Sequence, residues 1–511
     1  MSSRRLSAHE LIETVVDPGT FICWDAAPQH EHESADYAAD LASAQEKSGA
    51  DEAVVTGEGR VRGRRVAVAA SEFGFLAGSL GAQTSARLID MFDRATAERL
   101  PVLAAPASGG TRMQEGTPAF FTMIGLTAAI RRHKEAGLLY LVYLRHPTTG
   151  GTMATWGSLG HMTIAEPGAL LGFLGPRVFE TLYGTPFPTG VQVSENLREH
   201  GLIDAVVPPE ELGAVVVRAM DILARPSVGA AEASPGVTTV PSQLRHESEE
   251  QHRDRVWDSV LATRESRRPT VRHLLKYGAD DVLQLSGTAQ GERDPRLFLG
   301  LARWAGHPCV VIGQDRAQGS ARPMGPALLR EARRGLRLAQ QLRIPLVTVI
   351  DTEGADLSQE AEEAGMASAI ARSLSDLLGV KTPVVSVLLG QGTGGGAIAL
   401  LPADHTIAAE HAWLSPLPPE GASAILYRDT EHASQLAAAQ GIDAWSLLEA
   451  GIVDEVVPED VEATKDPRCF ARRMSAAVVS ALDSLAYTPV DALPAGRARR
   501  FGAARKVRLV A

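Results

Sequence analysis

Two glycine-bearing stretches in the first half of the chain have the residue types and spacing to hold an anion with backbone groups alone. One is Ala107-Ser108-Gly109-Gly110-Thr111-Arg112; the other is Pro147-Thr148-Thr149-Gly150-Gly151. Each follows a short apolar run, residues 101–105 and 139–144, and so reads as a turn leaving a buried strand. Glycine has no Cβ, which lets a backbone N–H come close to a ligand. Two such turns side by side would supply two convergent N–H donors, the makings of an oxyanion hole. A helix starting at Gly150 would add the positive end of its dipole. A plain strand-to-helix turn has the same local signature, and what distinguishes the two readings is recurrence.

The arrangement recurs in the second half. An apolar run at 345–350 precedes Asp351-Thr352-Glu353-Gly354, and another at 383–389 precedes Gly392-Thr393-Gly394-Gly395-Gly396-Ala397. One shift of 244 places Ser108 on Thr352, Gly110 on Gly354, Gly150 on Gly394, Gly151 on Gly395 and Glu166 on Glu410. Residues 201–207 match 451–457 at a shift of 250. A single register across both turns points to a duplicated domain. Apolar strand runs separated by helix-length segments imply right-handed βαβ units, hence two α/β domains.

The elements that must position the turns follow. Residues 1–50 read as a polar, helix-leaning extension with Trp24 as the large apolar anchor, and regular structure is expected to begin near Asp51. The first domain covers 51–225. In it Gly57 and Gly59, with Arg62 to Arg65, read as brackets around turns, 66–70 as a buried strand, 82–100 and 119–136 as helices, with Gly137 closing the second. Residues 226–246 lack periodicity and read as a linker. The second domain covers 247–485, and the 486–511 stretch reads as a basic tail, solvated or used in a subunit contact. The run from Glu331 to Arg337 reads as the outer face of a helix.

Composition narrows the function classes. At 511 residues the chain exceeds one ordinary core. With 45% hydrophobic and 22% charged residues it is globular in type, and a net charge of −11 argues against nucleic acid or a membrane surface as partner. No apolar run approaches the ~20 residues of a membrane span. Cys23, Cys309 and Cys469 are far apart and show no metal or redox spacing, which points to reduced thiols and a cytoplasmic location. The fourteen histidines form no metal-ligand pattern, so no metal, zinc included, is expected. There is no nucleophile elbow and no Walker motif. Bare N–H donors without an acid/base pair suit enolate stabilisation at a thioester or ureido carbonyl, one carbonyl per domain.

These stretches resemble a known family. Ala107 to Glu115, Pro147 to Gly151, Ile164 to Arg177 and Phe73 to Gly81 resemble the β subunit of bacterial acetyl-CoA carboxylase carboxyltransferase. Asp351-Thr352, Gly394 to Ala397 and Pro419 to Leu426 resemble the α subunit. The chain is thus similar to the fused β–α carboxyltransferases of actinobacterial acyl-CoA carboxylases over roughly residues 50–460. The resemblance implies an α/β fold of tandem crotonase-like (ClpP/crotonase) domains and transfer of CO2 from carboxybiotin to the α-carbon of an acyl-CoA. It implies that Gly109, Gly110, Gly150 and Gly151 face the acyl thioester, and that Gly354, Gly395, Gly396 and Ala397 face the biotin ureido group. Arg112 and Arg177 would meet the phosphates of coenzyme A or make structural ion pairs. Ala399 would stand near a residue that sets acyl length, its small side chain admitting longer chains. In the family the biotin anion takes the α-proton, so no protein base is needed.

No biotin-attachment sequence and no ATP site occur here, which implies a separate biotin carboxylase/biotin carrier subunit. The family also implies a homo-oligomer, a dimer or a hexamer, with the site built between the first half of one copy and the second half of another. Two departures stand out. The zinc ribbon of the bacterial β subunit is missing, and Glu353 and Asp356 put acid where the α-type turn carries Pro and Tyr. Two other readings remain open: a malonyl-type thioester decarboxylase using the same enolate site, and a non-catalytic subunit of a carboxylase complex.

Overall fold

A computed structural model of the chain describes residues 5–29, 34–224, 236–316, 323–459 and 462–502. The chain divides into two compact units, 1–221 with 285–292, and 222–284 with 293–511. In the first, seven strands lie in the order Ile22–Cys23, Val54–Val61, Arg64–Ser71, Val102–Ala105, Tyr140–Leu144, Met162–Ala165, Ala205–Val206. The first three pair antiparallel and the rest parallel. The second unit repeats the plan with Asp281–Leu285, Leu297–Trp304, His307–Gln314, Leu346–Thr352, Val384–Thr393, His405–Ala409 and Glu455–Val457. From His307–Gln314 onward these too pair parallel.

The inner parallel strands Val102–Ala105, Tyr140–Leu144 and Met162–Ala165 are buried along their length, because helices cover the sheet. Helices Ala82–Ala97 and Gly116–Glu135 supply the cover in the first unit, closing a core around Leu88, Met91, Phe92, Leu126 and Tyr140. In the second unit Pro326–Leu342 stands 244 residues beyond the start of its counterpart. The second helix of the first unit begins at Gly116 rather than 119, and Gly137 follows it at a φ of 79°.

Several local readings change. Order begins at the helix Ala8–Val15, not at Asp51. Gly57 and Gly59 bracket no turn: both lie inside the strand Val54–Val61. They are small because the N-terminal segment crosses them. A Cβ on Gly57 would lie 2.3 Å from the Ile22 carbonyl oxygen, and one on Gly59 2.4 Å from a Val16 methyl. The Glu331–Arg337 run is not an outer face, since Glu331 and Arg334 are buried and the Glu331 carboxylate accepts the Asp294 N–H at 3.0 Å. Of the expected linker, 226–235 lie outside the described residues, and Val237 bridges to Val456. The 486–511 stretch is not wholly a solvated tail. Its helix Leu493–Gly502 buries Arg497 against Asp404 at 2.9 Å.

The N-terminal packing is checked by Gly57→Ala. The added methyl has no room, so stability falls by about 1–3 kcal/mol, read as a lower unfolding temperature. A turn glycine without that contact would show no such loss.

Candidate active site

The two turns of the first unit meet backbone to backbone. Gly110 has φ 118° and Gly150 φ 62°, in the region that favours glycine. A Cβ on Gly150 would sit 3.0 Å from the Gly110 Cα, and one on Gly110 3.7 Å from the Gly151 nitrogen. A side chain on Gly150 would press on the first turn, and one on Gly110 would be held in a strained left-handed backbone. Around this contact the Ser108 N–H donates to the Pro147 oxygen at 2.7 Å and the Thr149 N–H to the Ser108 oxygen at 2.9 Å. The Thr152 hydroxyl donates to the buried Ser108 hydroxyl at 2.9 Å, tying the second turn to the first. Behind them the Leu80 N–H donates to the Gly110 oxygen at 2.8 Å.

The donors are unequally available. The Gly109 N–H donates to the Ala77 oxygen, the Gly110 N–H to the Ser108 hydroxyl at 3.0 Å and the Gly150 N–H to the Phe173 oxygen. Among the described residues the Gly151 N–H, in the first turn of helix Gly150–Ala154, has no acceptor within the chain. Of the four glycines picked from the sequence, Gly151 therefore carries the open donor, and the other three shape the loop that presents it.

The second unit repeats the φ pattern and the hydrogen bonds at the same shift but not the close contact, since a Cβ on Gly394 would meet the Pro416 oxygen at 3.2 Å and one on Gly354 the Thr393 methyl at 3.5 Å. Gly354 has φ 127° and Gly394 φ 63°. The Gly354 N–H donates to the Thr352 hydroxyl at 3.2 Å, as Gly110 does to Ser108. Met324 bridges to Ala355 as Leu80 does to Thr111. Helix Gly394–Ile398 matches Gly150–Ala154 end for end, and the Gly395 N–H likewise has no acceptor among the described residues. A Cβ on Gly395 would meet Ile370 at 2.5 Å, and one on Gly396 would meet the Met324 methyl at 2.2 Å. Ala397 is fully buried in this helix.

Beneath the second unit's turns lies a buried charge that the first unit lacks. The Asp351 carboxylate accepts the Gln391 N–H at 3.1 Å and faces the Arg316 guanidinium at 3.1 Å. Burial pushes its carboxyl above the usual range, against the pull of Arg316. Its counterpart in the first unit is Ala107.

Other sequence candidates separate. Arg112 has no exposed surface. Its guanidinium forks onto the buried Glu52 carboxylate, with Ser79 and Thr84 taking further bonds. It offers nothing to a phosphate; of its two readings the structural ion pair is the one the packing leaves. Arg177 is exposed on helix Pro176–Tyr183. Ala399 is buried, with exposed Ile398 beside it, so it presents no surface from which to set acyl length. Glu353 is exposed, while the Asp356 carboxylate accepts the Ser358 N–H at 2.9 Å. Glu115 accepts the Ala82 N–H and the Tyr37 hydroxyl, and Glu166 accepts the His146 N–H at 3.0 Å. Both act as braces. His146 in turn accepts the Leu170 N–H on Nδ1, and burial, with Arg5 nearby, lowers its pKa. Among the described residues no group of three or more acidic, histidine or cysteine side chains is placed to hold a metal, and no helix is long and apolar enough to cross a membrane.

Comparison with known proteins gives the geometry a context. The carboxyl transferase domain family matches residues 2–496. A Mycobacterium tuberculosis protein named "Probable biotin-dependent acyl-coenzyme A carboxylase beta3 subunit" is 53% identical over 500 residues, 97% of this chain and 98% of that one. The acetyl-coenzyme A carboxylase carboxyl transferase subunits beta/alpha of Salinispora arenicola are 37% identical over 97% of this chain and 90% of theirs. Among solved structures, the transcarboxylase 12S hexamer core with methylmalonyl-coenzyme A and methylmalonic acid bound superposes with a TM-score of 0.73 at 19% identity, covering 94% of this chain and 90% of that one. A single-chain, multi-domain long-chain acyl-CoA carboxylase gives 0.67 at 19% identity, over 93% of this chain and 46% of that one.

The role of Arg112 is checked by Arg112→Met. Leaving Glu52 charged and buried without its partner lowers stability by about 3–5 kcal/mol. In folded enzyme at low temperature the KM for acyl-CoA stays near wild type. A selective rise in that KM at unchanged stability would restore the phosphate role.

Proposed function

This chain belongs to the carboxyl transferase domain family, and we propose that its two glycine-turn pairs divide one reaction between two carbonyl groups. The protein is a carboxyltransferase subunit of the biotin-dependent acyl-CoA carboxylase kind. In the first unit, the Gly151 N–H would donate to the thioester oxygen, with Gly109, Gly110 and Gly150 shaping the approach. As the α-proton leaves, charge collects on that oxygen, and a fixed donor stabilises it without reorganising. The enolate α-carbon then forms its bond to CO2.

The second unit's residues fit a ureido group. The Gly395 N–H is unspent, Gly354 keeps a φ of 127° that favours glycine, and Gly396 and the buried Ala397 complete the short helix that presents the donor, with Met324 packed where a Gly396 side chain would stand. Biotin, when bound, supplies the CO2 and accepts the α-proton. What the chain's own residues do is hold the ureido oxygen at Gly395. The exposed Arg177 remains available to a phosphate of coenzyme A.

Partners follow from the same surfaces. Met113 and Leu357 are 80% and 89% exposed and stand 244 residues apart; Phe173 and Leu417 are a second such pair. Phe120, Phe121, Leu182, Ile425 and Leu426 enlarge the exposed apolar area. Apolar patches of this kind mark interaction sites. Duplicated patches beside the two turn pairs suit an isologous contact in which the first unit of one copy meets the second unit of another, completing both sites. A dimer is the minimum, and a hexamer would parallel the transcarboxylase neighbour. A separate biotin carboxylase/biotin carrier subunit would deliver carboxybiotin. Three unpaired cysteines suit a reducing, cytoplasmic location.

The observation that carries this reading is the unspent N–H found at both Gly151 and Gly395. Proline removes the donor yet tolerates the first turn of a helix. In the complex with its biotinylated partner, Gly151→Pro and Gly395→Pro each lower kcat by about 10²–10³. Gly151→Ala and Gly395→Ala meet the same Met123 and Ile370 side chains but keep the N–H, and so lose less. Full activity of Gly395→Pro, with CO2 released from a malonyl-type thioester in the absence of biotin, would replace this reading with the decarboxylase.

A further inference from the structure

The two units hold their turns together by different means, and the difference isolates one side chain. In the first unit the brace is the Thr152 hydroxyl donating to Ser108. At the shift of 244, Ser108 becomes Thr352 and Thr152 becomes Gly396, which has no hydroxyl to give. Nor is there room for one, because the Met324 methyl lies 2.2 Å from where a Cβ on Gly396 would stand. The second unit has lost the brace of the first.

Gln314, at the end of strand His307–Gln314, links the two turns instead. Its Oε1 accepts the Asp351 N–H at 3.1 Å, in the first turn. Its Nε2 donates to the Gly396 oxygen at 2.9 Å, in the second, and lies 3.3 Å from the Met324 sulfur. The side chain is 3% exposed, so both bonds are made out of water. The partners fix the amide's orientation, since an N–H requires the oxygen and a carbonyl requires the NH2. Parallel pairing aligns Ile312 with Thr348 and Ala69 with Ala104, which puts Ser71, a far shorter side chain, where Gln314 stands.

We propose that Gln314 is the positioning residue of the biotin-side turns. A peptide unit is planar, with its C=O and N–H on opposite sides. Holding the Gly396 oxygen therefore turns the Ala397 N–H the other way and fixes the first turn of the helix that carries the Gly395 donor. The acyl-side turns do not depend on it. This rests on the assignment of the second unit to biotin.

The test uses the full complex with its biotinylated partner and whichever of acetyl-, propionyl- or butyryl-CoA the wild type carboxylates fastest. Gln314→Met keeps the volume and removes both bonds. Gln314→Glu keeps the acceptor for Asp351 and loses the donor to Gly396. Both are expected to lower kcat by about ten- to a hundredfold, the scale of a misplaced reacting group, while the KM for acyl-CoA stays within about twofold. Gln314→Glu alone decides the matter if Gln314→Met does not fold. Wild-type kcat in Gln314→Glu beside an impaired Gly395→Pro overturns the proposal and leaves the biotin assignment standing. Wild-type kcat in both overturns the assignment itself. A fall in kcat matched by an equal rise in acyl-CoA KM and a drop in unfolding temperature shows a general structural role and also overturns the proposal.

Discussion

The first unit's part of the candidate site depends on two backbones touching. Gly110 lies so close to Gly150 that a methyl group on Gly150 would press on its Cα at 3.0 Å. That contact brings the Gly151 amide beside the first turn while the neighbouring N–H groups are consumed by Ala77, Ser108 and Phe173. An unspent N–H costs little at an open site but would be costly if buried without a partner. A ligand oxygen satisfies it, most strongly when that oxygen carries charge. The strands, helices and N-terminal crossing segment serve to hold this contact in place.

Duplication explains the second site and also how the two have diverged. The hydrogen bonds around Gly354 and Met324 repeat those around Gly110 and Leu80 at one register. Yet the cross-braces are not shared. One unit uses a pair of hydroxyls, the other a buried amide and a buried carboxylate. The backbone geometry persists while the side chains supporting it have been replaced, which is expected where the donors are main-chain groups and any side chain that preserves the spacing will serve.

Much of this was legible in the sequence because its signals are local. Apolar runs followed by glycine turns mark strand ends, and a constant shift of 244 marks duplication without knowledge of the fold. What escaped depends on partners distant in sequence. Which N–H is open depends on the carbonyls of Ala77 and Phe173. Arg112 is buried because Glu52, 60 residues upstream, comes to meet it. Gly57 and Gly59 look like turn residues until the crossing N-terminal segment is seen. Gln314 carries no motif, and only its absence from the first unit, set against the change of Thr152 to Gly396, gives it meaning.

In the proposed reaction two carbonyl oxygens would be held by two main-chain donors. The most direct measurement is a crystal structure of the oligomer with an acyl-CoA and biotin bound. The thioester oxygen is expected within about 2.7–3.2 Å of the Gly151 nitrogen and the ureido oxygen at the same range from the Gly395 nitrogen. Either oxygen bound instead by side chains, with its glycine N–H left to water, would contradict it.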